Sequence, residues 1–207
     1  MITMSYAITV CNEFIEIQKL ISHLLENIDL SVDEIIVLCD ISKPDSRVIE
    51  FCEKQDKNIK FYTDVFDNHF ANWKNKLKNM CSKEYIFQID ADEIPNPFLL
   101  KNIKKIISEN KGIELFWIPR ENYVANLTSE HIIEWGWQVD HLHRINFPDY
   151  QARLFKNYPH IMWKNNVHEI IIGSNSQALI PADPKLCLLH EKTIDKQDKQ
   201  NNYYNTL

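Results

Sequence analysis

Three apolar runs in the amino-terminal half of the chain each stop at acids or amides, and segments of helical spacing separate them. Tyr6-Ala-Ile-Thr-Val-Cys11 is followed by Asn12-Glu13, Glu34-Ile-Ile-Val-Leu-Cys39 by Asp40, and Tyr85-Ile-Phe-Gln-Ile89 by Asp90-Ala-Asp92-Glu93. After the first run, Phe14, Ile17, Leu20, Ile21, Leu24, Leu25 and Ile28 recur at the spacing of one helix face. Apolar runs alternating with helical segments imply βαβ units and a mostly parallel sheet flanked by helices. Sheets of this kind bind ligands beyond the carboxyl ends of their strands. Cys11-Asn12-Glu13, Asp40 and the acids after Ile89 all fall at such ends, so they are expected to converge on one edge.

The acids after Ile89 say what that edge could bind. Clustered carboxylates at a buried strand end resist desolvation unless something neutralises them. Their oxygens suit a hard cation such as magnesium or manganese, and few protein ligands suffice when a substrate's phosphates complete the shell. The segment points to a metal–diphosphate site. Composition removes several competitors. A net charge of −6 over 207 residues argues against a nucleic-acid partner. Five cysteines without a Cys-x-x-Cys argue against a disulfide framework or a structural zinc, and fit a reducing setting. Gly112, Gly136 and Gly173 are the only glycines, which excludes a Gly-rich phosphate loop. The first residues lack the basic start of a signal peptide, and no apolar run reaches the length of a transmembrane segment. The expected location is cytoplasmic, with peripheral attachment to a membrane as the variant.

The remaining elements follow the same logic. A turn at Lys43-Pro44-Asp45-Ser46 leads into a predicted helix over residues 48–57, then a strand over 59–62 and a helix over 68–80. A helix near 97–108 and a strand over 114–120 come next. The alternation weakens after residue 112. Residues 123–147 are polar and aromatic, with Trp135, Trp137, His141 and His143, and read as a long functional loop. Residues 150–155 and 161–163 read as a hairpin. Leu186-Cys-Leu-Leu-His190 is a short strand, and residues 192–207 a charged, amide-rich helix or frayed end. One domain over 1–207 is expected, with a nucleotide half at 1–112 and an acceptor half at 113–207.

The assembled pattern resembles the GT-A glycosyltransferases, in particular the family-two-like inverting group. Ala7-Ile-Thr-Val-Cys-Asn-Glu13 looks like that group's opening strand and Ile36-Val-Leu-Cys-Asp40 like its second. Asn72-Trp-Lys-Asn-Lys76 followed by Tyr85-Ile-Phe-Gln-Ile-Asp-Ala-Asp-Glu93 is similar to the approach to its Asp-x-Asp motif. Gln151-Ala-Arg-Leu-Phe155, Trp163 and Val167-His-Glu169 are similar to its acceptor-side signature. Asp40-Ile-Ser-Lys-Pro-Asp45 departs from the Asp-Thr-Gly-Ser common after the second strand, which leaves the role of Asp45 open. The resemblance implies a Rossmann-like GT-A sheet with a smaller mixed sheet on the acceptor side. It also implies a metal-dependent inverting transfer from a nucleotide-diphosphate sugar, uridine being the expected base, to a carbohydrate or glycoconjugate acceptor.

The resemblance also distributes roles. Asp92 is the expected main metal ligand and His190 the second, with Asp90 contacting ribose or reaching the metal through water. An imidazole with a carboxylate suits manganese somewhat better than magnesium. Val10, Cys11, Glu13 and Asp40 fall on the nucleoside side. Asp90, Ala91, Arg153 and, less directly, Lys74 fall on the phosphate side. Glu169 is the expected general base, with His168, Asp149 and Asp140 as alternatives. Trp135 and Trp137 could stack on a sugar face. Each also has a purely structural reading: a helix-start acid for Glu13, a turn residue for Asp40, a core histidine for His190, an internal ion pair for Arg153. Three other functions compete: an Asp-x-Asp phosphohydrolase, a sugar-nucleotide-forming nucleotidyltransferase and a non-catalytic sugar-nucleotide-binding module. The first usually carries its motif on an early strand, and the second wants a glycine-rich basic loop that this chain lacks.

Overall fold

The computed structural model describes residues 1–43, 45–55 and 59–204. Pro44 of the expected turn, Asp56 and Lys57 of the expected helix and residues 205–207 of the tail lie outside the described residues. The first half forms β1 (Met4–Val10), α1 (Phe14–Asn27), β2 (Glu34–Asp40), α2 (Ser46–Glu53), β3 (Ile59–Asp64), α3 (Phe70–Met80) and β4 (Tyr85–Asp90). Then come β5 (Glu93–Pro95), α4 (Pro97–Glu109), β6 (Leu115–Ala125), α5 (Ser129–Glu134) and β7 (Ile145–Lys156). The chain continues through β8 (Met162–Lys164), β9 (Ile170–Ile172), β10 (Gln177–Leu179), a short 3-10 turn, β11 (Leu188–Thr193) and α6 (Ile194–Tyr204).

Local chemistry accounts for these elements. Every residue of β2 is buried, the pattern of a central parallel strand. Helix α1 turns Ile17, Leu20, Ile21 and Leu24 onto the sheet. Asn96 accepts a hydrogen bond from Phe98 N at 2.9 Å and Pro97 opens the first turn, so α4 starts where capping chemistry places it. Asp45 likewise caps α2 through Arg47 N at 2.9 Å and pairs with the Arg47 side chain, which gives it a structural role.

The main sheet has nine strands in the order β3-β2-β1-β4-β7-β6-β11-β5, with β10 beside β6. Strands β3, β2, β1 and β4 run parallel; β7 lies antiparallel between β4 and β6. Two reversals return β6 to the direction of β4, and β11 runs parallel to β6. The carboxyl ends of β1, β2, β4, β6 and β11 therefore share one edge with the amino end of β7. Helix-covered cores lie on both faces of the sheet.

Two expectations are corrected here. Residues 150–155 and 161–163 do not form a hairpin: the first belong to β7 in the main sheet, and β8 pairs with β9 in a separate two-stranded antiparallel sheet. The mixed pairing of the second half lies within the main sheet. Residues 123–147 are not all loop, since β6 runs on to Ala125 and α5 follows. Gly173, just after β9, has φ 88° and a Cβ there would lie 1.9 Å from His160 O, so the turn requires glycine.

Buried acids at the opposite edge are structural. Glu34 accepts from Ser5 Oγ at 2.6 Å and Ser82 N at 2.7 Å and pairs with Lys60 at 2.7 Å. Burial would raise its pKa, but these partners pull it down to about 2. Among the described residues no helix is long and apolar enough to cross a membrane.

Candidate active site

The shared carboxyl edge opens into a cavity of about 1140 Å³. Val10, Cys11, Glu13 and Asp40 line it from β1 and β2; Asp90, Ala91 and Asp92 from β4 and the turn after it; Lys74, Arg153, Glu169 and His190 from later elements. Every residue singled out from sequence as donor-binding, metal-binding or catalytic thus faces one space. Of the other candidates, His168, Asp149, Trp137 and Trp163 also line it. Asp140 instead holds Arg144 through its side chain at 2.8 Å and backbone at 2.9 Å, organising the loop before β7.

Beyond the ends of β1 and β2, two acids are occupied by backbone. Glu13 accepts from Cys11 N at 2.9 Å and Asn12 N at 3.1 Å. Asp40 accepts from Ser42 N at 2.8 Å and Phe66 N at 3.1 Å. Both fix the loops after β1 and β2, while their remaining lone pairs stay available to a ligand.

A buried ion network sits beneath the Asp-x-Asp turn. Asp90 pairs with Arg153, and Thr9 Oγ1 reaches its other oxygen at 3.4 Å. Glu93 is fully buried and accepts from Arg153 and Arg120, each at 2.7 Å, and from Asp90 N at 3.2 Å. Arg120 continues to Asp149 at 2.7 Å. Burial alone would raise the Asp90 pKa, but the Arg153 and Lys74 charges hold it far below the usual carboxylate range. Arg153, buried too, is held charged by Asp90 and Glu93. Arg153 therefore neutralises acids within the protein, and Asp90 is drawn towards it.

Asp92 stands apart from that network. The register that pairs His190 with Glu93 across β11 and β5 brings the imidazole beside Asp92, with Nε2 to Oδ2 at 3.4 Å. His190 Nδ1 lies 2.7 Å from Asn122 Oδ1. The Asn122 amide nitrogen donates to Asp149 Oδ2 at 2.8 Å, which turns its oxygen towards the histidine. Nδ1 therefore carries the proton and Nε2 a lone pair. Burial lowers the His190 pKa against the pull of Asp92, which favours that neutral ring. A lone pair and a carboxylate oxygen then face each other, an arrangement that a cation satisfies, with Asn122 and Asp149 orienting the ring from behind. No group of three or more His, Cys, Asp or Glu poised for a metal occurs among the described residues. The Asp92–His190 pair fits a cation whose other positions are filled by phosphate and water.

The opposite wall is built by α3. Asn75 brackets Trp163, donating to its carbonyl and accepting from its N–H, each at 2.8 Å. Phe70 N donates to Asn166 O at 3.1 Å. These bonds hold the loop between β8 and β9, where Asn165 and His168 adopt positive φ of 79° and 54°. Lys74 lies over the Trp163 ring at 4.5 Å and forms an ion pair with Glu169. Trp137 reaches the cavity and packs edge-on against Trp135 at 4.6 Å.

Four contributors were not singled out from sequence: Arg120, Asn122, Lys192 and Lys196. The first two alternate on one face of β6, and His190 and Lys192 do so on β11, so the two-residue period of a strand linked them. Lys192 and Lys196 line the cavity, and Lys196 Nζ lies 3.2 Å from Asp92 Oδ2.

Comparison with known proteins agrees with this architecture. The family model described as Glycosyl transferase family 2 matches residues 5–168. Among solved structures, S. aureus TarS 1-349 in complex with UDP-GlcNAc superposes with a TM-score of 0.63 at 12% identity, covering 93% of this chain and 59% of that one. The same TarS fragment in complex with UDP gives 0.62 at 13% identity, covering 92% and 60%. A further TarS crystal structure gives 0.60 at 13% identity, covering 97% of this chain and 38% of that one. The chain thus spans less than two thirds of the length of each of these TarS chains.

Proposed function

Because the chain belongs to glycosyl transferase family 2, we propose that it moves a sugar from a nucleotide-diphosphate sugar to a hydroxyl acceptor, with inversion and with a bound divalent cation. The observation that carries this reading is the convergence of the strand-end acids, His190 and Glu169 on one cavity. We read residues 1–112 as the donor-binding half and 113–207 as the half that closes the metal site and receives the acceptor.

The nucleoside would lie beyond β1 and β2, against Val10, Cys11, Glu13 and Asp40. Uridine is the favoured base, since TarS is seen with UDP and UDP-GlcNAc in the same fold. Asp92 and His190 would hold manganese or magnesium, which when bound supplies Lewis-acid stabilisation of the departing diphosphate. Asp90, drawn to Arg153, would contact the ribose or a bridging water. Glu169 takes the proton of the acceptor hydroxyl as its oxygen bonds to the anomeric carbon. The bond from that carbon to the diphosphate breaks on the opposite face, so the configuration inverts. Lys74 orients the Glu169 carboxylate. Trp137 offers a flat face to a carbohydrate acceptor.

Titration calorimetry tests the donor site: UDP should bind more tightly with manganese present, and equal affinity with and without it would remove the assigned metal site. Glu169→Gln should lower transfer by about 100-fold or more while leaving donor binding largely intact. Near-normal transfer would place the base elsewhere.

A further inference from the structure

Asp92 already has a cation beside it. Lys196 Nζ lies 3.2 Å from Asp92 Oδ2, the same oxygen that His190 Nε2 approaches to 3.4 Å. It also lies 3.3 Å from Glu16 Oε1 on α1. Lys196 is in the first turn of α6, and its side chain is about a third exposed, so its stem can swing while the helix stays in place. Lys192 adds a second cation on the strand face of His190.

Resting on the functional reading above, we propose that the Lys196 ammonium is a tethered stand-in for the metal at Asp92 and passes to the donor diphosphate when metal and nucleotide bind. A divalent cation held by Asp92 and His190 would meet the ammonium at close range, so the two compete for one oxygen. A diphosphate would remove the conflict, because it brings enough negative oxygens to serve the ammonium as well as a cation held by Asp92 and His190. Because α6 holds its backbone in place, Lys196 need move only its own side chain, away from Asp92. Metal alone should therefore bind weakly, and metal and nucleotide should each strengthen the other by the same factor. Lys196 becomes a donor-binding residue supplied by α6.

The test is manganese binding read from the EPR signal of free manganese, on the full chain, with and without UDP. In the wild type, UDP should strengthen manganese binding by about tenfold or more. Lys196→Met should bind manganese alone about tenfold more tightly than the wild type, bind UDP alone more weakly, and lose most of the UDP enhancement. Lys196→Arg, which keeps the charge, should stay within about twofold of the wild type for manganese alone. If Lys196→Met melts normally yet binds manganese alone no more tightly than the wild type, the exchange is refuted while the functional reading stands. If the wild type binds neither manganese nor UDP, both fall.

Discussion

Glu93 ties two buried arginines together beneath the Asp-x-Asp turn, and Glu93→Gln loosens that tie without changing the volume. The side chain is fully buried. One oxygen accepts from Arg120 and Arg153, each at 2.7 Å, and the other from Asp90 N at 3.2 Å. Glutamine keeps the volume, so no cavity opens. Its amide has one oxygen, however, and rotating it only chooses which partner meets an N–H instead of a lone pair. Two charge-assisted bonds lose about half their strength and one buried donor is left opposing another, which sums to about 3–5 kcal/mol. For a chain of this size that is a fall in Tm on the order of 10 °C. Urea unfolding should show a lower midpoint at an unchanged slope. A loss below about 1 kcal/mol would refute the buried network, and with it the reason Asp90 is drawn towards Arg153.

Asn122→Leu removes the acceptor that fixes the His190 tautomer and should weaken manganese binding by about 10- to 100-fold in a folded protein; unchanged affinity would refute the tautomer assignment. Lys74→Met should lower kcat by about tenfold or more with donor affinity nearly unchanged; the reverse split would make Lys74 a phosphate ligand. At the far edge, Glu34 has its pKa depressed to about 2 in the fold, against about 4.3 unfolded. A depressed acid contributes stability that is complete above its unfolded value and lost as pH falls through its folded one. The shift corresponds to about 3 kcal/mol, and exposure of the Lys60 partner reduces it to about 2 kcal/mol. The stability difference between wild type and Glu34→Gln should therefore shrink as pH falls from about 4.5 to about 2; a constant difference would contradict the assignment.

Much of the first half was legible because buried parallel strands are written as unbroken apolar runs. The strands β1, β2 and β4 needed only adjustment at their ends. The second half was harder for a physical reason. Strand β7 enters between β4 and β6 by pairings across distant parts of the chain, and local periodicity does not say which strands are neighbours. Helix α5 has no buried residue and is started by the Thr128–His131 capping box, so it carries no apolar stripe to read. In the site, Asp-x-Asp announces itself as two equivalent acids. Arg153, from β7, pairs with Asp90, while His190, from β11, sits beside Asp92. That division follows from sheet topology and was only suggested by resemblance. Lys196 was invisible because a lysine in a charged tail ordinarily marks a solvated helix face.

We propose that this cavity breaks the sugar–diphosphate bond of a nucleotide sugar. The direct measurement is NMR of a UDP-sugar incubated with the protein, manganese and candidate carbohydrate acceptors, following UDP release and the anomeric configuration of the product. UDP release with an inverted product, lost in Asp92→Ala, is the expected result. Release unaffected by Asp92→Ala, or a product of retained configuration, would contradict it.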